Sequence, residues 1–530
     1  MNHIELFAGC GGLSLGLETA GFELLFANEL SPMASETFAF NHLNIDLSKI
    51  ETTDKVLWVS SQFPKDNIKV RLRENPNNAT GLGENHFSDI AEKTLSNKQL
   101  NRSLLVGSII DINKILESGK STILKQFKSG LGYGSVDLVS GGPPCQSFSL
   151  AGLRDHTHHR NQLPWEFAKF IEKVKPKLAL LENVSGILRP FKIDGKEYYA
   201  WYEVAKSFAK VGYVPLCLHI NAKYVGTAQN RPRFIMIGFR NDVFDSLLRN
   251  SKNTNLMSFL KPSHEFYEKL AKGIDPIYGA LPYYDIEKDK YLFSEPIFSP
   301  LFAQNENLVS VKDAIDDLRS ANLKQSEYVD KLNSLLVNRF NLEVNKKENH
   351  DLRRNNEKVR ARFRLYQVLN KLPKIQAKSV LTHLQTGGQT TIDEIVIDKL
   401  KKYWLLDITC TKKVLSSEKD MLELLSQLYT KKQTQRALKA NEPAPAALSI
   451  PDDACHYHES LTMLRTLTVR EMARIQSFPD WYQIKSKVTT GGQMRKFEVP
   501  QYTQIGNAVP PLLGLALGKV CKSLIELAEK

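Results

Sequence analysis

Asp137-Leu-Val-Ser-Gly-Gly-Pro-Pro-Cys-Gln-Ser-Phe-Ser-Leu-Ala-Gly152 is an apolar run broken by two glycines and two prolines. Residues 137–140 read as a short buried strand. Gly141 and Gly142 let the backbone bend or meet another group closely. Pro143 and Pro144 then fix φ and remove two backbone donors. Cys145 follows at once, a thiol held on a stiff turn at the carboxyl end of a strand. Open α/β sheets place their ligands and reactive groups at that end.

Composition bounds the rest. A chain of 530 residues is long enough for about two to four domains. With 42% hydrophobic and 24% charged residues it reads as an ordinary globular protein. No apolar run in the sequence reads as a membrane span. The start, Met1-Asn-His-Ile-Glu-Leu-Phe-Ala-Gly9, reads as strand and turn rather than a signal peptide. Six scattered cysteines without a Cys-x-x-Cys pair fit reduced thiols in a cytoplasm and argue against a zinc site. The formal net charge of +13 suits a polyanionic partner.

Outward from the central turn, the same strand–turn grammar recurs. Residues 2–8 form a first apolar strand, followed by Gly9-Cys-Gly-Gly-Leu-Ser-Leu-Gly16 and a helical pattern. A dinucleotide site needs a third glycine where Ser14 stands, so a ligand without a pyrophosphate fits better. S-adenosylmethionine is such a ligand. Glu29 ends a second strand at the place where an acid accepts from ribose hydroxyls. Ser31-Pro32 opens a helix with a cap and a first-turn proline. Residues 48–103 are polar and read as an insertion hanging from the sheet edge. Order resumes at 104–112. Residues 153–163 read as a loop able to close over a substrate. Lys177-Leu-Ala-Leu-Leu-Glu-Asn-Val184 is a buried strand carrying Glu182, a carboxylate too costly there without a partner or a task. Gln229-Asn-Arg-Pro-Arg233 offers two arginines suited to a base carbonyl and phosphates.

Gly-Pro-Pro-Cys-Gln-Ser-Phe-Ser resembles the catalytic motif of the cytosine carbon-5 DNA methyltransferases. Phe-Ala-Gly-Cys-Gly-Gly-Leu-Ser, Glu-Asn-Val, Gln-x-Arg-x-Arg, the 464–480 segment and Gln504-Ile-Gly-Asn-Ala-Val-Pro-Pro511 resemble further motifs of that family, in family order. The resemblance implies a Rossmann-like α/β methyltransferase sheet using S-adenosylmethionine. It implies cofactor contacts from Phe7, Ala8, Gly9, Gly11, Gly12, Leu13, Glu29, Ser108, Ile109, Pro144, Asn507 and Val509. The family has Gly-Asp-Ile where this chain has Gly107-Ser108-Ile109, so either Ser108 or Asp111 meets the adenine amino group. The implied catalytic set is Cys145, Glu182, Arg231 and Arg233. Cys145 adds to carbon 6 of a flipped cytosine, Glu182 steadies the ring, and the arginines hold its carbonyl. Gln146 and Ser149 would touch the DNA.

From 245 the alternation of strand and helix stops, and 245–463 reads as mostly irregular. The expected division is a catalytic and cofactor domain over 1–244, a target-recognition region over 245–500 that includes 464–480, and a 501–530 segment returning to the first domain. Thr468 and Glu471 form a capping box. Sequence reading is expected from 349–391. Arg353, Arg354, Arg360, Arg362 and Arg364 would line one helix face, and a loop would carry Gln385 and Gln389 to base edges. The partner is then double-stranded DNA, the protein a monomer on it in the cytoplasm, and a restriction endonuclease its functional counterpart. The competing reading is a tRNA cytosine-5 methyltransferase. The short Cys-Phe-Thr signature of those enzymes is missing from this variable region.

Overall fold

The computed structural model describes the chain outside 65–66, 76–85, 93, 119–121, 145–161, 194, 433, 447–452, 493 and 495–496. Nine strands form one sheet: β1 Asn2–Leu6, β2 Glu23–Glu29, β3 Val56–Trp58, β4 Ser103–Val106, β5 Leu138–Gly141, β6 Leu178–Val184, β7 Tyr213–Asn221, β8 Pro232–Arg240 and β9 Tyr283–Asp285. Their order is β9-β7-β8-β6-β5-β1-β2-β4-β3. Every pairing is parallel except those of β8, which runs against both neighbours. The chain moves from β1 through β2 to β4 on one side, then returns to β5 on the other. Such a reversal opens a crevice outside the carboxyl ends of the central strands.

The strands are apolar throughout because both faces are covered. Val139, Ala179, Leu181 and Met236 face helices Ile109–Glu117, Leu163–Val174 and Ala200–Lys210. Leu138, Leu178, Leu180 and Ile237 face helices Gly12–Thr19, Asn241–Asn250 and Pro511–Ala528. The last helix closes the fold on the first. A Cβ on Gly16 would stand 2.3 Å from the Leu515 amide nitrogen, and one on Gly514 would stand 2.9 Å from the Leu13 carbonyl. Small residues alone allow this approach. By length and composition Gln501–Ala528 could cross a membrane, its most apolar 18 residues having a mean hydropathy of 1.4, but 78% of those are buried here. Its apolar character goes into the core shared with the first helix, as expected of a segment returning to the first domain.

Two expectations are corrected. The insertion does not hang from the sheet edge. Its β3 is the outermost strand, Leu57, Ile68, Ile90 and Leu100 are buried, and Asp89 accepts from both the Trp58 amide (2.9 Å) and Arg71 Nη1 (3.2 Å). Polar composition hid a small core, because its few apolar side chains are widely spaced. Residues 245–463 are not irregular either. Helix Thr254–Ala271 and β9 cover the far edge of the sheet, and Val311–Ile315 and Glu327–Leu335 pack with Val469–Ile475 and Tyr482. A separate core begins at Val359 and gathers helices through Glu418–Gln427. The cores thus divide near 356 rather than 245. The 464–480 segment, through 467–478, shares a core with Cys10, Leu15 and Ile505 as well as with Val311 and Tyr328. Its capping box is present: Thr468 Oγ1 accepts from the Glu471 amide (3.1 Å), and Glu471 accepts from the Thr468 amide (2.8 Å).

Leu57→Ala should therefore destabilise the protein by about 2–5 kcal/mol, the range for emptying a buried leucine site. Chemical denaturation measures it. A loss within about 0.5 kcal/mol, as for a surface change, would restore the peripheral reading of the insertion.

Candidate active site

The crevice holds a cleft of about 510 Å³. Its walls come from the turn after β1, the ends of β2 and β4, the turn after β5, Glu182 of β6 and the 497–509 segment. Register sets this convergence: Leu6 pairs with Asn28 and Gly141, and Gly141 with Leu181.

At one end, Phe7 leaves β1 with φ +56°, a strained setting for a bulky residue that is typical of ligand sites. Glu29 fixes the turn that follows. Its two carboxylate oxygens accept from the amides of Gly9 (2.7 Å) and Ser31 (2.7 Å). Burial raises the Glu29 carboxyl, and these amides oppose the rise. Each oxygen keeps a second lone pair for a ligand. Ser108 caps helix Ile109–Glu117 by accepting from the Ile110 amide (3.2 Å). Asp111 meets Lys114 through Oδ1 (3.2 Å), while its buried Oδ2 has no partner. Of the pair left open by the sequence, Asp111 has the free acceptor.

Beneath the turn lies Glu5, which sequence reading missed. Burial pushes its carboxyl up to about 8, and a hydrogen bond from Ser14 works against that rise. The available signal was the one that picked out Glu182, a carboxylate inside an apolar strand. Gly11 stands apart from the cleft. Its carbonyl faces His42 Nε2 (3.1 Å), and a Cβ would strike that ring, so Gly11 shapes the turn from behind. The other predicted cofactor residues line the cleft: Phe7, Ala8, Gly9, Gly12, Leu13, Glu29, Ser108, Ile109, Pro144, Asn507 and Val509. Phe497, Thr503 and Gln504, which sequence reading did not name, join them from the same returning stretch of chain.

At the other end, Arg233 Nε lies 2.6 Å from Glu182 Oε1. The N–H axis is off line, so this is a close ion pair rather than an aligned hydrogen bond. Burial lowers the Arg233 guanidinium and Glu182 opposes that. Glu182 Oε2 sits above Gly142, where a Cβ would approach to 3.0 Å. Asn183 donates to the Pro143 carbonyl (3.1 Å) and ties the proline turn to β6. Cys145, Gln146 and Ser149 lie outside the described residues, directly beyond Pro144.

Arg231 corrects the expectation of two arginines on one base. It is fully buried and donates to the carbonyls of Gly506 (2.9 Å), Ala508 (3.0 Å) and Ala446 (3.2 Å). Its donors go to the C-terminal turn, so it positions the cleft wall.

The sequence profile of the C-5 cytosine-specific DNA methylases matches residues 1–70 and 106–523. The chain belongs to this family. The unmatched internal residues, 71–105, cover most of the polar insertion of this methylase and run into β4. It is 25% identical over 520 residues to the type II methyltransferase M.DdeI of Desulfomicrobium norvegicum, covering 98% of this chain and 88% of that protein. It is 25% identical over 541 residues to M.Bpa9945I of Bacillus paralicheniformis, covering 98% of each. Over 244 residues it is 31% identical to M.NgoPII of Neisseria gonorrhoeae, covering 46% of this chain and 49% of that one.

The methylase's expected DNA readers are dispersed. Arg364 is 1% exposed, paired with Glu459 at 2.8 Å and laid over the Trp404 ring at 3.8 Å. Arg360 and Arg362 donate to the carbonyls of Leu461 (3.1 Å) and Tyr429 (3.4 Å). The expected arginine face is not open, because helix Glu357–Leu369 is the buried centre of its subdomain. Arg360 and Arg364 share a side packed against 459–461, and Arg362 points elsewhere, to Tyr429. Arg353 lies over Tyr502 at 5.5 Å, and Arg354 is exposed. Gln385 ends helix Lys374–Gln385 rather than standing in a loop, while Gln389 is exposed beyond it.

Two predictions follow from the cleft. Gly142→Ala should displace Glu182 and lower methyl transfer while leaving cofactor affinity unchanged in a binding titration. Burial holds Glu5 protonated in the folded protein up to about pH 8, whereas the unfolded chain releases that proton from about 4.5. The folded state then holds more protons across that window, so its stability falls as pH rises through it. Glu5→Gln should flatten the decline in Tm between those values.

Proposed function

We propose that this methylase transfers a methyl group from S-adenosylmethionine to carbon 5 of a cytosine flipped out of duplex DNA, within a specific sequence. One observation carries the reading: a single cleft joins the Gly9 turn and Glu29 to the Gly142–Pro144 turn and Glu182. The donor set fits the cofactor. Glu29 suits ribose hydroxyls, the free Oδ2 of Asp111 suits an adenine amino group, and Glu5 suits an ammonium. When bound, the cofactor supplies a methyl group on an electrophilic sulfonium.

The chain's own residues do the rest. Carbon 5 of cytosine is a poor nucleophile, and covalent addition at carbon 6 by the Cys145 thiolate makes it a good one. Charge then develops on the ring. Glu182 Oε2, free above Gly142, shares a proton with ring nitrogen 3, while Arg233 holds Oε1 and reaches the base carbonyl. Loss of the carbon-5 proton expels Cys145. A base must leave the stack to reach such a cleft. The division we infer is a catalytic body of 1–355 and 464–530 with a target-reading body between them. Gln389 is exposed on the target-reading body, and Arg354 is exposed on the catalytic body just before the division. A restriction endonuclease of matching specificity is the proposed counterpart, in line with the type II relatives.

Bisulfite sequencing of DNA from cells expressing the chain tests the activity and gives the site. Cys145→Ala should abolish transfer with cofactor binding retained. Glu182→Gln should slow it by about two to four orders of magnitude, the range for lost acid–base assistance. Residual turnover of Cys145→Ala within about tenfold of wild type would exclude nucleophilic catalysis by Cys145.

A further inference from the structure

The rim of the sheet carries a second polar constellation outside the cleft. Ser185 directly follows β6, His219 lies near the end of β7, and Asp285 ends β9. His219 and Asp285 are register partners. These three strands run the same way, so all three residues stand on the rim that bears Glu182. Ser185 Oγ is 2.9 Å from His219 Nε2, and His219 Nδ1 is 2.7 Å from Asp285 Oδ2. Asp285 is itself oriented by the amides of Glu287 (2.9 Å) and Lys288 (3.2 Å). When the ring is neutral, these partners favour Nδ1 donating to the carboxylate and Nε2 accepting from the serine hydroxyl.

This array is not core structure. The side chains of His219 and Asp285 keep 23% and 17% of their exposure. Partly solvated pairs of this kind contribute little to stability. The neighbouring lysine does not supply a free cation, since Lys223 is engaged by Glu287 at 2.9 Å. The remaining titratable neighbours are Tyr283 of β9, edge-on to the imidazole at 6.4 Å, and Asp289, which accepts from the Asp285 amide at 2.7 Å. Phe234 pairs with His219 from β8 and carries no charge.

We propose that Ser185, His219 and Asp285 form a proton-coupled anchor for a backbone phosphate of the DNA strand that carries the target cytosine. This rests on the methylase reading, in which the flipped base enters at Glu182, three residues before Ser185. The strand flanking that base then crosses the rim. The Ser185 hydroxyl turns from His219 Nε2 and donates to a phosphate oxygen. Nε2 takes one proton from solvent, and the imidazolium stands between the Asp285 carboxylate and the phosphate. No covalent bond forms or breaks. The anchor passes from a net charge of about −1 to about 0, which removes the repulsion Asp285 would exert on a phosphate.

Fluorescence anisotropy of the full chain with a labelled cognate duplex, from about pH 6 to about pH 9, spans histidine titration. Calorimetry in two buffers of different ionisation enthalpy counts protons taken up. Wild type should take up about one proton and lose about tenfold in affinity as pH rises across the range. Ser185→Ala should bind about fivefold to tenfold more weakly at the acidic end, and Ser185→Thr, which keeps the hydroxyl, should recover most of that loss. His219→Gln should abolish the proton uptake and flatten the pH profile. Cofactor affinity, read separately, should be unchanged in all three variants, which a misfolded variant would not satisfy. Equal proton uptake in wild type and His219→Gln, or wild-type binding by Ser185→Ala, overturns the anchor alone. Failure of wild type to bind or methylate any duplex overturns the methylase reading with it.

Discussion

The contact between the first and last helices holds the rest in place. Gly16 and Gly514 bring two backbones within the reach of a single Cβ, and Gly12 lies so near Val509 that a Cβ there would stand 2.2 Å from its carbonyl. The wall formed by Asn507 and Val509 therefore faces the Gly9 turn because the chain ends are locked together. Arg231 reinforces the lock, tying the entrance of β8 to the carbonyls of Gly506 and Ala508. A fully buried guanidinium is costly unless its donors are satisfied. Here burial lowers its proton affinity and Glu182 opposes that, while backbone carbonyls take protons of Nη1 and Nη2.

The cleft divides its labour between two carboxylates by their surroundings. Glu182 has a cation at 2.6 Å. Glu5 has a serine hydroxyl and no cation, and burial leaves it protonated up to about 8. Both side chains sit in apolar strands. The difference between them lies in their partners, and each partner arrives from elsewhere in the fold: Arg233 from β8, Ser14 from the first helix.

The inserted elements follow a different logic. The 48–103 stretch completes the sheet at one edge through β3, and β9 completes it at the other. Both protect edge strands that would otherwise be open to pairing. The subdomain built around Val359, Phe363 and Leu400 has its own core. Its arginines are consumed internally, Arg364 by Glu459 and Trp404. Surface left over for DNA is therefore carried by exposed positions such as Arg354 and Gln389 rather than by the charge-rich helix.

The sequence by itself determined the alternating strands, the capped helix at Thr468 and the family, because backbone rules and a reactive turn are written locally. It also singled out Glu182, Glu29 and most of the residues that line the cleft, since glycines, prolines and a carboxylate in an apolar strand stand out locally. Charge runs carry no such mark. The arginines at 360, 362 and 364 look alike in one dimension, and packing decides which are buried, paired or free. The same holds for Arg231 and for Ser185, His219 and Asp285, which stand far apart in sequence. Strand order and register alone brought them to one rim, because parallel strands align their carboxyl ends whatever the chain does in between.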